Sequence, residues 1–172
     1  MKLGDIDIQI GGFHDHWLRT GTGVSSILIA AITRYHYDFI CLMDAEFGEE
    51  ALKIKNQLES WISGFKAYIG SENMYGWGHM ITVMNDCPDV DLQNEDFKAE
   101  MKKLKDYGGI VALAHINHTL SRDRIAKAGY IDELIDGGYV DAIQIEKGKD
   151  LDYVNKKAME GTVEAHVSGG VP

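Results

Sequence analysis

Proline and cysteine are both scarce, with two of each among 172 residues. There is accordingly no Pro/Ser-rich linker, and the composition does not shift along the chain. Residues 1–172 therefore read as a small single domain, long enough for one hydrophobic core. Cys41 stands in an apolar run and Cys87 in a loop-forming stretch. Two thiols so far apart make neither a zinc knuckle nor a disulfide framework, and reduced intracellular cysteines are the expectation. Long hydrophobic runs are also missing: none approaches the roughly 18 residues that a membrane-spanning helix needs. The opening Met1-Lys2-Leu3-Gly4-Asp5 lacks the basic-then-apolar pattern of a secretory leader. These absences predict a cytoplasmic protein with no membrane partner. Basic residues are the last shortage. Seventeen Lys and Arg against 27 Asp and Glu give a formal charge of −10, which disfavours a groove that reads nucleic-acid phosphates. Divalent cations bound in a site would reverse that field locally.

What is present is ordinary globular material, with 45% hydrophobic and 26% charged residues, so disordered and fibrous classes drop out. Isoleucines alternate with polar residues from Asp5 to Ile10, which predicts a half-buried strand ended by Gly11 and Gly12. An apolar helix is expected from Ser25 through Tyr35, then a buried strand Phe39 to Met43 ending at Asp44. The next helix runs from about Glu49 to Gly64, with Leu58, Trp61, Ile62 and Phe65 as its inner stripe. A short strand Lys66 to Ile69 stops at Gly70-Ser71-Glu72, and a Gly/Tyr/Trp-rich loop leads to His79 and the strand Met80 to Met84. The helix from Asn94 turns Phe97, Met101 and Leu104 inward and carries acids first and lysines last, as its dipole favours. Further strands are expected at Ile110 to Ala114, Asp141 to Ile145 and Thr162 to His166, with helical segments at Ser121 to Gly137 and Leu151 to Glu160. Strands alternating with helices, at intervals that look too long for hairpins, argue a parallel α/β sheet or barrel.

The chemistry gathers at the expected strand ends. His14 and His16 are two residues apart, so on a strand both imidazoles project from one face and can reach one metal ion. Asp44, Glu72, His115 and the pair Glu164/His166 follow other strands, and His79 opens the strand after Glu72. Imidazoles mixed with carboxylates suit Zn, Mn or Fe better than Ca or Mg. Glu72, with one oxygen for each ion, can bridge two metals about 3.5–4 Å apart. The competing reading makes each of these a separate capping or surface residue.

In this order the motifs resemble those of the polymerase and histidinol phosphatase (PHP) superfamily of metal-dependent phosphoesterases. His14-Asp15-His16 is similar to that family's opening His-x-His, and Phe39 to Asp44 to the strand leading into its Thr-Asp-His. Gly70-Ser71-Glu72 and Gly78-His79-Met80 resemble its Gly-x-Glu and Gly-His segments. Gly108 to His115 is close to its Gly-Gly-hydrophobic-Ala-His strand, and Val140 to Ile145 to its Asp-Ala-Ile-Glu-Val. The resemblance implies an α/β fold, a distorted (β/α)7 TIM-like barrel with metals at the C-terminal ends of its strands. It also implies that His14, His16, Glu72 and Glu164 hold one metal, and that Glu72, His79 and His115 hold a second. A third metal would have only His166, because Ala45 and Thr22 stand where the family has histidines; Asp44 or Glu46 can compensate in part. Gly12 stands where the family has an Asp, so support for the histidine pair must come from elsewhere.

The function implied is hydrolysis of a small phosphorylated metabolite or nucleotide by a water that two divalent ions (Zn, Mn or Fe) activate. Arg19, and Arg122 or Arg124, are candidates to orient a phosphate, and His118 to protonate the leaving group. Tyr75-Gly76-Trp77 can wall the substrate pocket. Two alternatives stand beside this: hydrolysis of non-phosphate esters or amides at the same centre, and a binding domain whose metal site has decayed.

Overall fold

The computed structural model describes residues 2–3, 6–7, 9, 11–16, 23–44, 48–75, 78–92, 97–114, 130–145 and 164–167. A small antiparallel pair, β1 (Lys2–Leu3) with β2 (Ile6–Asp7), precedes the main sheet. That sheet has seven strands in sequence order: β3 (Gly11–Asp15), β4 (Phe39–Asp44), β5 (Lys66–Tyr75), β6 (Gly78–Met84), β7 (Ile110–Ala114), β8 (Ala142–Ile145) and β9 (Glu164–Val167). Both neighbours of β6 pair with it antiparallel, and every other neighbouring pair is parallel. One strand thus runs against six.

This arrangement corrects the (β/α)7 barrel expectation. The sheet is a curled, mixed half-barrel, and β3 and β9 stand at its two edges with no pairing between them among the described residues. The cause lies at residues 66–84. The short strand expected there continues through Glu72 to Tyr75, and β6 begins at Gly78, leaving only two connecting residues. A crossover to a parallel strand takes a dozen or more residues, so the chain can only turn back as a hairpin. Regular β/α alternation is broken there.

Side-chain alternation sorts the sheet into two faces. Ile40, Leu42, Ala67, Ile69, Met80, Met84, Val111, Leu113 and Ile143 join one core with buried residues of all the described helices. These are α1 (Val24–Ile29, continued to Arg34 as a wider π-helical turn), α2 (Glu49–Trp61), α3 (Phe97–Asp106) and α4 (Tyr130–Asp136). The alternate residues Cys41, Met43, Ile81, Val83, Ala112, Ala114 and Ala142 line the other, concave face with Phe13 and Tyr68.

The helices follow the expected stripes with two departures. In α2 the buried positions are Ala51, Lys55 and Leu58, while Trp61 (46% exposed) and Ile62 (37%) lie outside the core, because the helix ends at Trp61 and the chain turns away. In α1, Ile27 and Leu28 are buried but Ile29 is 61% exposed, so the helix is covered on one side and not all round. Phe97, Met101 and Leu104 of α3 are buried as the spacing predicts. Gly64, Gly108 and Gly138 follow helices with positive φ, a conformation that costs glycine little and stops each helix. The segment expected to be helical at Leu151 to Glu160 lies outside the described residues.

Lys55 is buried by its stem, and its Nζ lies 2.9 Å from Glu59 Oε2. Glu59 Oε1 accepts the backbone N–H of Ala67 at 3.1 Å, which ties α2 to the first turn of β5. Burial pushes the Glu59 carboxyl up, but the hydrogen bonds from Lys55 and Ala67 and the charges of Lys55 and Lys66 outweigh it and hold the group below its usual 4.5. A carboxyl that is more acidic folded than unfolded stabilises the fold above its unfolded pKa, and this contribution fades as pH falls through the folded value. Thermal unfolding followed from pH 6 down to pH 3 is expected to show a smaller acid-induced fall for Glu59→Gln than for the wild-type chain. Leu58→Ala, which removes a fully buried contact between α2 and the sheet, is expected to cost about 2–5 kcal/mol in urea unfolding.

Candidate metal centre

The histidine pair does not follow a strand that ends at the glycines; it is carried in and just after β3, which itself starts at Gly11. Both glycines sit in close approach to neighbouring side chains. A Cβ on Gly11 would run into the ring of Phe39, and one on Gly12 would run into the carboxylate of Asp15. A register irregularity between Gly12 and Asp15 accompanies this local bend of β3.

Glu72 is buried on the concave side of β5, and three imidazoles surround it. His79 Nδ1 lies 3.0 Å from Oε1 and His14 Nε2 lies 3.5 Å from the same oxygen. His16 Nε2 lies 3.1 Å from Oε2, and the two Nε2 atoms of His14 and His16 are 3.0 Å apart. The donor atoms of His14, His16 and Glu72 all lie within 4.8 Å of one another, a spacing that one cation can span. His14 is nearly enclosed, with 6% of its side chain exposed, whereas His16 and His79 are about one third open at 30% and 32%.

Gln144 on β8 accepts a hydrogen bond from His14 Nδ1 at 3.2 Å. Four strands separate β3 from β8 in the sheet order. In a flat sheet, at about 4.8 Å per strand, the two would be roughly 24 Å apart. The contact therefore measures how far the sheet curls. It also sets the chemistry of His14: with the proton on Nδ1, a neutral ring presents the Nε2 lone pair to His16 and Glu72, which is the tautomer that binds metal. This donor set of imidazole nitrogens and a carboxylate fits a Zn, Mn or Fe ion.

The remaining expected residues fall in three groups. Asp44 ends β4 in register with Ser71, the residue before Glu72. Glu164 and His166 lie on β9, in register with Ala142 and Gln144 respectively. Arg19, His115 and His118 lie outside the described residues, as do Arg122, Arg124, Gly76 and Trp77. Ala114, immediately before His115, is the register partner of His79, so the backbone leading to His115 runs beside the cluster. Tyr75 faces the helix side and donates its hydroxyl to Leu92 O at 2.8 Å; burial and the nearby Asp91 charge push that phenol up to about 12. It braces the sheet and does not wall the site.

Below the cluster the concave face holds a partly open cavity of about 390 Å³, reached by His14 and Gln144 and lined by residues of β3, β4, β5, β6, β7 and β8 together with Gln9 and Tyr37. Cys41 lies in its wall, where burial above all, and then the Asp15 charge, push the thiol far up, so it acts as a small apolar group and not a nucleophile. Tyr37 at the same wall is pushed up by burial, then by the charges of Asp15 and Tyr35.

Gln144 is the residue that sequence reasoning passed over. Its signal was a polar side chain in the otherwise apolar Ala142-Ile143-Gln144-Ile145.

No family model matches the chain. Two curated proteins share short stretches with it. Glucose-6-phosphate isomerase of Acetivibrio thermocellus is 67% identical over 33 residues, which is 19% of this chain and 7% of that enzyme. Glucose-6-phosphate isomerase of Caldanaerobacter subterraneus subsp. tengcongensis is 45% identical over 53 residues, 31% of this chain and 11% of that enzyme. The matched stretches thus span only a small part of either relative. Among the described residues no helix is long and apolar enough to cross a membrane.

Removing the partner that fixes a metal-binding histidine typically costs 10–100-fold in metal affinity. Gln144→Ala is expected to weaken Mn²⁺ or Zn²⁺ binding by about that factor in isothermal titration calorimetry. Gln144→Glu, which keeps an acceptor for His14 Nδ1, is expected to retain it.

Proposed function

We propose that this chain is a metal-dependent hydrolase, most specifically a phosphoesterase acting on a small phosphorylated metabolite or nucleotide. One observation carries the reading: His14, His16 and His79 converge on the two oxygens of the buried Glu72. The short similarities to two bacterial glucose-6-phosphate isomerases support an enzyme in general terms. They cover too little of those proteins to carry the isomerase reaction with them.

In this reading Glu72, with His16 against Oε2 and both His14 and His79 against Oε1, would be the acid shared by two divalent ions of Zn, Mn or Fe. When bound, such ions lower the pKa of a coordinated water toward about 7 and polarise the ester oxygen. The protein's own part is positioning. Gln144 holds the His14 ring in its binding tautomer, and burial of Glu72 and His14 keeps bulk water from screening the site. His16 Nε2 lies within reach of both His14 Nε2 and Glu72 Oε2 and would have to be free of its proton to hold a cation, so loading would weaken as pH falls. His115 would complete the second position, with Glu164 and His166 as the ligands proposed from β9. Arg19 would steer the phosphate and His118 would protonate the leaving group. Asp44, at the end of β4, is proposed to support the site from beside β5.

The test begins with metal content, by inductively coupled plasma mass spectrometry, of protein stripped with chelator and reloaded with Mn²⁺ or Zn²⁺. About two equivalents are expected, reduced in His14→Ala and Glu72→Gln. Hydrolysis of phosphate monoesters by the loaded protein is expected to fall more than about 100-fold in Glu72→Gln, beyond the 10–100-fold effect of an outer partner. Activity confined to carboxylic esters or amides would move the reading to that class, and no metal uptake at all would overturn it.

A further inference from the structure

Among the described residues, β5 has a strand on each side only as far as Ser71. Its parallel register with β4 ends where Asp44 meets Ser71, and Glu72 to Tyr75 pair with β6 alone. Glu72, the acid at the middle of the cluster, is thus the first residue past that loss of support. Two-stranded ribbons twist more than strands held on both sides, so the ladder by itself does not fix the direction in which Glu72 leaves the sheet.

The reverse face of the sheet changes composition at the same place. The buried helix-facing positions described in β4 to β8 are otherwise Ile, Leu, Met, Val or Ala. Ser71, Asn73 and Thr82 interrupt them, at 0%, 2% and 0% exposure. Ser71 and Asn73 stand on either side of Glu72, and Thr82 is the register partner of Ser71 on β6. Asn73 Nδ2 donates to Ser71 Oγ at 2.7 Å. The Thr82 hydroxyl donates to the Ser71 carbonyl, in the peptide that leads into Glu72, at 3.4 Å. Apolar side chains of similar size would fill this space without the desolvation of two hydroxyls and an amide. Polar groups confined to the two residues flanking the acid and to their cross-strand neighbour answer a need of the acid and not of the core.

We propose that Ser71, Asn73 and Thr82 are positioning residues, whose hydrogen bonds set the twist of β5 behind Glu72 and so aim its carboxylate among His14, His16 and His79. The proposal rests on the metal-binding part of the reading above, and not on the reaction or its substrate. A site of this kind needs its donors held to about 0.5 Å. Both oxygens of Glu72 are shared among three rings, so a small rotation of the strand gains one contact and loses another.

The test compares the wild-type chain with Ser71→Ala/Asn73→Leu and with Thr82→Val, a smaller change that keeps the test open should the double variant fail to fold. Replacing both partners of a buried hydrogen bond by apolar groups is close to neutral for stability, so the metal-free double variant is expected to unfold at or above the wild-type midpoint. Its Zn²⁺ affinity in isothermal titration calorimetry is nevertheless expected to fall about 10–100-fold, with a smaller fall in Thr82→Val. In metal-free protein at one fixed pH, the ring-proton NMR signals of His16 and His79 are expected to move in both variants. They are expected to stay in place in Leu104→Ala, which loosens the core beside Met84 at the other end of β6. Moved rings with no metal uptake by any of these chains would uphold the brace and overturn the metal-centre reading. Rings that stay in place, or Zn²⁺ affinity unchanged in every variant that folds, would overturn the brace and leave the three residues to the fold alone.

Discussion

The hydrogen bond from His14 to Gln144 is the contact on which the rest of the molecule turns. It joins strands that a flat sheet would keep far apart, and so requires the curl that gives the sheet an inside. The same bond settles which nitrogen of His14 faces Glu72. It also closes the upper end of the cavity, because both partners line it. Fold, donor set and cavity share one polar contact between side chains that are themselves nearly buried.

The two faces of the sheet divide the work. All four described helices pack on one side, and the core there is the usual interlocking of Leu, Ile, Met and Phe. On the concave side the residues are smaller, Cys41, Ala112, Ala114 and Ala142 among them, and no described helix covers them. Stability is drawn mainly from the helix side, which leaves the concave side able to hold a carboxylate and three imidazoles. Those groups would be costly in a packed apolar core without polar partners; Glu72 has His16 and His79 within hydrogen-bond distance, and His14 has Gln144.

Much of this was legible in the chain. His14 and His16 share a face because they are two apart on a strand, and the buried runs Phe39 to Met43 and Ile110 to Ala114 form strands where their apolar continuity requires it. Glu72 and His79 could be chosen as candidates from their place around glycines, yet their contact depends on a hairpin that the sequence disguises. Tyr75, Gly76, Trp77 and Gly78 carry no Asn-Gly or Asp-Gly signal, so the sequence points to a loop there and to a strand shorter than the observed Lys66–Tyr75. The barrel expectation failed at that same place, since alternation inferred from neighbouring segments cannot reveal one reversed strand. Gln144 was not legible as a partner of His14, because 130 residues separate them and only the curl makes them neighbours. The exposure of Trp61 had a simpler cause: periodicity assigns a face but not the residue at which a helix stops.

The spacing of the cluster along the chain gives it an order of assembly. Glu72 and His79 are seven residues apart across a tight hairpin, an element that forms in microseconds when it forms alone. His14 and Gln144 meet only once intervening strands have aligned, a non-local closure of the slow kind. Two pairs of the centre are therefore local, Glu72 with His79 and His14 with His16, and they are brought together only by the curl of the sheet. Neither local pair alone offers the three donors that a cation would need, and the set of His14, His16 and Glu72 exists only in the bent sheet. The metal would thus read out completion of the fold, and once seated it would oppose its reopening.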